Sequence, residues 1–175
     1  MRALVLDSET TGLQELLERR RRFGADRGDE VWDGVLHMVP APNYGHGSVE
    51  AQVIMTLGPK ARAAGFEVIG QSNLGEGEDD FRVPGIAMHR RGTGGTWHAT
   101  APLVVEIVSP HDESWEKLPF YAAHEVDEVL IVDPAKRSVD WLGLRDDEYQ
   151  PIDHSGLIDL GRDELATRIE WPSSG

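Results

Sequence analysis

Apolar and polar positions along the chain follow periods that change from one segment to the next. Residues 12–23 place Leu13, Leu16, Leu17 and Phe23 on the apolar side of a short helix. Arg19, Arg20, Arg21 and Arg22 close it with positive charge suited to a helix C-terminus, and Gly24 is suited to stop it. Residues 30–39, EVWDGVLHMV, set two apolar runs about Asp33-Gly34, a favoured two-residue hairpin turn, and Pro40 and Pro42 end the second run. Residues 46–64 read as a helix with Val49, Val53, Ile54, Leu57 and Ala61 inward, which Pro59 is expected to interrupt or bend. Phe66–Gln71 and Arg82–Met88 read as strands on either side of an acidic, glycine-bearing loop, Gly75–Asp80, and residues 90–100 as a loop.

The best-defined unit is 102–134. Pro102–Val108 is an almost continuous apolar run, as in a strand buried on both faces, and Ser109-Pro110 ends it. His111–Glu125 is patterned as a helix, made less regular by Pro119, and Val129–Val132 is a second buried strand closed by a turn at Asp133-Pro134. Strand, helix and strand over this length predict a right-handed parallel crossover. Residues 138–144 and 148–152 read as a further hairpin, and the tail to Trp171 is short and mixed. The pattern predicts the α/β class, with a mixed sheet flanked by helices.

A length of 175 residues suits one domain over 1–175, with its core at about 30–142. There is no cysteine, which excludes disulfides, zinc–thiolate sites, iron–sulfur clusters and a cysteine nucleophile, and fits a reducing cytoplasm. No apolar run approaches the ~20 residues of a membrane span, and MRALVLDSETTG lacks the pattern of a signal peptide, so no membrane partner is expected. The 31 acidic residues against 17 basic ones give a net charge of −14, which opposes non-specific binding to nucleic acid. A locally basic cleft can still sit on an acidic surface, and Arg19 to Arg22, Arg82, Arg90 and Arg91 would line one if the fold gathers them.

Glu106 is the most informative residue, an acid inside the buried run LVVEIVS. An ionised carboxylate there is costly unless it is paired, bound to metal or at the sheet margin. Near the C-terminal end of a parallel strand it faces the crevice where ligands bind. Lys117, on the following helix, can return its ammonium to Glu106; the purely structural alternative pairs it with Glu113 at i,i+4. A glutamate and a lysine at one point can hold a divalent cation and orient or deprotonate a water. The seven histidines show no helical metal-ligand spacing, Ser109 lacks a nucleophile-elbow context, and the glycines match no phosphate-binding loop. His98 and His111 are candidates to meet in space.

Four segments, WDGVLHMVPAPNYGH, NLGEGEDDFRVPG, APLVVEIVSP and EKLPFYAAHEVDEVLIVDP, follow one another between Glu30 and Trp141. In that order and spacing they resemble the Uma-type restriction endonucleases, a bacterial group in the PD-(D/E)XK nuclease superfamily. The resemblance implies a central mixed sheet flanked by helices, hydrolysis of nucleic-acid phosphodiesters with Mg²⁺ or Mn²⁺, DNA as partner, and a homodimer. It implies a site built from a Pro-Asp on one strand, a glutamate on the next and a lysine. Glu106 then maps to the acidic metal ligand, the Ile107 carbonyl to a further ligand, and Lys117 to a lysine displaced onto the following helix, with Val108 at the usual lysine position. Glu50 is an additional acid and His46 a cleft residue by the same resemblance.

The departure is Pro84-Gly85 where the family has Pro-Asp. Mg²⁺ usually takes one or two carboxylates with water or phosphate, so Glu106 alone should hold it weakly. On a regular strand Asp80 would lie on the opposite face roughly 16 Å from Gly85, with Asp79 about 20 Å and His89 about 13 Å away, so none is expected to replace the missing aspartate. Two expectations follow: a metal-dependent endonuclease with a degenerate site, or an inactive fold used as a binding or assembly module.

Overall fold

The computed structural model describes residues 11–110 and 113–172. Helix α1 (Thr11–Arg22) ends at Gly24, which takes a positive φ of 62°. Leu13 is buried, whereas Phe23 is 72% exposed and takes no part in the expected apolar side. Strands β1 (Glu30–Trp32) and β2 (Val35–His37) form the hairpin about Asp33-Gly34, both of which have positive φ, the backbone of a type I′ turn. Helix α2 (Tyr44–Ala63) is capped by Asn43, whose side chain accepts from the His46 N–H at 3.0 Å. Pro59 does not break it; the helix runs through to Ala63.

The central strands are β3 (Phe66–Gly70), β6 (Ile86–Arg90), β8 (Leu103–Ile107), β9 (Glu128–Asp133), β10 (Ser138–Arg145) and β11 (Glu148–Pro151). They form one mixed sheet in the order β11-β10-β9-β8-β6-β3, in which only β8 and β9 are parallel. Side chains on β8 alternate between faces. Leu103, Val105 and Ile107 join the inner face of α2 (Val49, Val53, Leu57, Ala61) and helix α4 (Arg162–Arg168) through Leu165. Val104 lies on the other face, with Val129, Ile131 and the aromatic pair Phe120 and Tyr121. Each of these fully buried Val, Leu and Ile side chains contributes roughly 1.5–3 kcal/mol.

Three readings of the sequence change. The loop expected at Gly75–Asp80 is instead a bulged pair of strands, β4 (Asn73–Gly77) and β5 (Asp80–Arg82), and the strand expected from Arg82 breaks before β6 because Pro84 cannot donate to a ladder. With β1, β2 and β7 (Trp97–His98) these make a second sheet, β2-β1-β5-β4-β7. Between β8 and β9, the described residues form a 3₁₀ turn (Trp115–Lys117) and the short helix α3 (Leu118–Ala123), which Pro119 starts rather than disturbs. His111, and so its meeting with His98, lies outside the described residues. The tail is not irregular. It forms α4, and Glu128 ties it to the sheet by accepting from Ser155 Oγ and the Gly156 N–H at 2.7 Å and from Trp141 Nε1 at 2.9 Å. Among the described residues no helix is long and apolar enough to cross a membrane.

Candidate active site

A cavity of about 560 Å³ opens at the C-terminal end of β8, where a parallel pair of strands usually presents its ligand site. Glu106, Ile107, Lys117, Glu50, His46 and Gly85, every position expected to carry chemistry, line it. Glu106 is 6% exposed. Its Oε1 accepts from Lys117 Nζ at 3.0 Å and from the Tyr121 hydroxyl. Lys117 does not pair with Glu113, which instead contacts His37 Nδ1 at 3.0 Å. Its second partner is Glu30, at 2.8 Å.

Glu30 is the residue the sequence reading missed. It starts β1, is 2% exposed, and accepts from Lys117 and the Val83 N–H through Oε1 and from Trp32 Nε1 through Oε2. Nothing in the local pattern marks it, because its partners lie on β1, on the segment after β5 and before α3. Tyr121 was missed as well, although a signal existed. It stands four residues after Lys117, and i,i+4 positions share a helix face.

One cation thus serves two buried carboxylates. Burial disfavours the Lys117 ammonium, but the charges and hydrogen bonds of Glu106 and Glu30 outweigh it and hold its pKa above the ordinary lysine value. The charged form of Lys117 is therefore the favoured one in this arrangement. Burial raises the Glu106 carboxyl, Lys117 opposes that rise, and Glu30 adds to it. Tyr121 is held well above its usual range, so its hydroxyl remains a donor to Glu106.

Gly85 is not in the left-handed region, and a Cβ built on it would meet only the Val105 carbonyl at 3.7 Å and Glu50 Oε1 at 4.0 Å. The space that a side chain at position 85 would fill is open, and the Glu50 carboxylate borders it. Burial raises the Glu50 carboxyl. His46, one turn earlier on α2, has Nε2 4.0 Å from Glu50 Oε2 and Nδ1 2.9 Å from Ser109 Oγ. Asp80 is engaged elsewhere, with Arg82 Nη1 at 2.8 Å and the Asp33 N–H at 3.2 Å, and His89 bonds Ser72. Neither lines the cavity. Among the described residues no three His, Asp or Glu side chains gather as a metal cage.

The basic cleft forms only in part. Arg20 and Arg27 line the cavity. Arg82 is buried, with its guanidinium 4.4 Å from the Trp32 ring and 4.0 Å from the Phe120 ring, and it serves packing. Arg90 and Arg91 sit at the end of β6 opposite Gly85.

A mixed sheet clad by helices, with a buried Glu–Lys pair at the end of the parallel strands, defines a restriction-endonuclease-like protein. Residues 13–168 match the model of the Uma2 family, described as "Putative restriction endonuclease", and the chain belongs to that family. Its fold is similar to a crystal structure of "a putative nuclease belonging to DUF820" from Anabaena variabilis ATCC 29413, with a TM-score of 0.65 and 14% identity over 80% of this chain and 90% of that one. A cryo-electron-microscopy structure of a DrdV–DNA complex aligns at a TM-score of 0.44 and 14% identity, over 89% of this chain and 12% of that one. No curated protein sequence matches the chain significantly.

Proposed function

We propose that the protein is a Mg²⁺- or Mn²⁺-dependent nuclease acting on DNA phosphodiesters, in which Glu50 takes over from the aspartate that Gly85 replaces. The observation that carries this reading is the 4.0 Å between Glu50 Oε1 and the position of a Cβ at residue 85, in the cavity that Glu106, Ile107 and Lys117 also line. The donor chemistry fits a hard cation. Two carboxylates and the Ile107 carbonyl are oxygen ligands, and Mg²⁺ commonly takes one or two carboxylates and completes its shell with water and substrate phosphate. The ion would polarise the phosphodiester and lower the pKa of a water. Lys117, fixed between Glu30 and Glu106, offsets part of the charge of those two carboxylates beside the reacting phosphate. Tyr121 and Lys117 hold Glu106 in orientation.

The test is cleavage of single-stranded and duplex DNA and of RNA with Mg²⁺ and Mn²⁺. Activity is expected to vanish in Glu106→Gln and in Glu50→Gln, and to return in part when Gly85→Asp is added to Glu50→Gln. A Glu50→Gln protein as active as the native chain would overturn the role of Glu50. Absence of cleavage above the Glu106→Gln level would leave a fold used for binding or assembly.

A further inference from the structure

An anionic substrate that reaches this cavity meets an unfavourable floor. The ionisable side chains lining it, histidines aside, are the cations Arg20, Arg27 and Lys117 against the carboxylates Glu30, Glu50, Glu106 and Glu113. Two of the three cations are already engaged. Lys117 lies between Glu30 and Glu106. Arg20 donates through Nε to Asp29 Oδ2 at 3.0 Å, and through Nη2 to the carbonyls of Ala25 at 2.6 Å and Val39 at 3.3 Å. Those bonds fix α1 against the loop that follows β2.

Arg27 differs. It lines the cavity, is exposed, and makes no ion pair among the described residues. Its guanidinium packs over Gly24, where an added Cβ would lie 3.4 Å from Arg27 Nε. The positive φ of Gly24 turns the chain after α1, so Arg27 returns beside the four-arginine end of that helix. Arg19, Arg21 and Arg22 there are exposed. In a chain of net charge −14 this is a local concentration of the opposite sign, and it reaches the acidic cavity through Arg20 and Arg27.

We infer that Arg27 is a phosphate-binding residue for a nucleic-acid strand entering the cavity, with the exposed arginines of α1 extending the track outward. The inference rests on the nuclease reading for the strand's destination, but its test is a binding measurement. An arginine fork pairs with phosphate oxygens through two donors, and each phosphate neutralised releases a counterion, so the contact registers in the salt dependence of affinity.

Equilibrium binding of a fluorescent DNA oligonucleotide and its RNA counterpart is measured across a salt series, in chelator and on the Glu106→Gln background so that no cleavage intervenes. Arg27→Ala should weaken binding about five- to tenfold, alike for every sequence, and reduce the slope of log affinity against log salt by about one. Arg91→Ala, an exposed arginine at the far end of β6, should leave both unchanged. Unchanged affinity and slope in Arg27→Ala overturn the inference, and so does an absence of salt-dependent binding by the parent protein. Binding that depends on Arg27 in a chain that cleaves nothing upholds it while removing the nuclease reading.

Discussion

Glu30 and Lys117, 87 positions apart in sequence, are 2.8 Å apart in the fold, and Lys117 is in turn 3.0 Å from Glu106. The second sheet is therefore tied to the first through the site itself. Glu30→Ala removes the acceptor for Val83, Trp32 and Lys117 at once. Breaking a buried pair of this kind costs about 3–5 kcal/mol, which chemical denaturation would read directly. Glu30→Gln keeps an acceptor oxygen and should lose less. Both variants should lower cleavage through Lys117, with kcat falling more than KM rises.

Removing the shared cation has a different signature. Lys117→Met leaves Glu30 and Glu106 buried without their common partner, and Glu106, already raised by burial, loses the charge that opposes the rise. A carboxyl whose folded pKa is raised contributes stability that is complete below its unfolded value of about 4.5 and is lost as pH climbs through the folded value. The stability gap between native protein and Lys117→Met should therefore widen as pH rises above about 4.5, in parallel denaturant titrations. A gap independent of pH would mean that the carboxylates do not depend on Lys117.

The parts of this fold legible in sequence are those with a single dominant pattern. The apolar run holding Glu106, the inward face of α2 and the Asp33-Gly34 turn each appear where periodicity or turn chemistry places them. Glu106 was legible because a charge in a buried strand demands a partner, whereas the pattern alone left Lys117 free to pair with Glu113 and only the family resemblance pointed it to Glu106. Glu30 was not, since its burial depends on β1 lying along β5, a non-local pairing that leaves no mark at position 30. Arg82 misled for the same reason. An arginine in sequence suggests a basic surface, and only the fold reveals Trp32 and Phe120 on either side of it. The second sheet was hidden by Gly75, whose composition reads as loop.

That glycine and Gly85 make a paired test. Gly75 has a φ of +147°, and a Cβ there would lie 2.6 Å from the Asp80 carbonyl and 2.9 Å from Phe81 Cβ. Backbone cannot move aside cheaply, so Gly75→Ala should cost about 2 kcal/mol or more. Gly85→Ala, with nothing nearer than 3.7 Å, should change stability little.

Gly85→Asp tests the site rather than the fold. The new carboxylate starts from a Cβ position 4.0 Å from Glu50 Oε1, so without metal the two acids repel and the protein should lose about 1–2 kcal/mol at neutral pH. Mn²⁺ relieves the repulsion, and its affinity should rise about tenfold over native as a second or third carboxylate joins the set. Thermal shift against Mn²⁺ concentration reads both effects without any cleavage assay. An apo loss that Mn²⁺ does not reverse would remove the metal from this end of the cavity.

The second pH response comes from outside the site. His89 is 5% exposed, bonds Ser72 Oγ through Nε2 at 3.3 Å, and has its ring centroid 4.3 Å from that of His98 on β7, the planes tilted by 37°, a contact that joins β6 to the neighbouring sheet. Burial, and to a lesser degree the charge of His98, push the His89 pKa from 6.5 down to about 4. A histidine with a depressed folded pKa contributes stability that is present above pH 6.5 and is lost as pH falls through that value toward 4, because the unfolded chain takes up the proton first. Glu50 and Glu106 act in the opposite sense below neutrality, so the native curve alone mixes the effects. The comparison with His89→Gln separates them. Relative to that variant, the native protein should lose roughly 2–3 kcal/mol between pH 6.5 and pH 4, read as a shift of denaturant midpoint. Parallel curves for the two proteins across that range would show that His89 titrates as freely folded as unfolded, and that the contact between the two sheets is open to water.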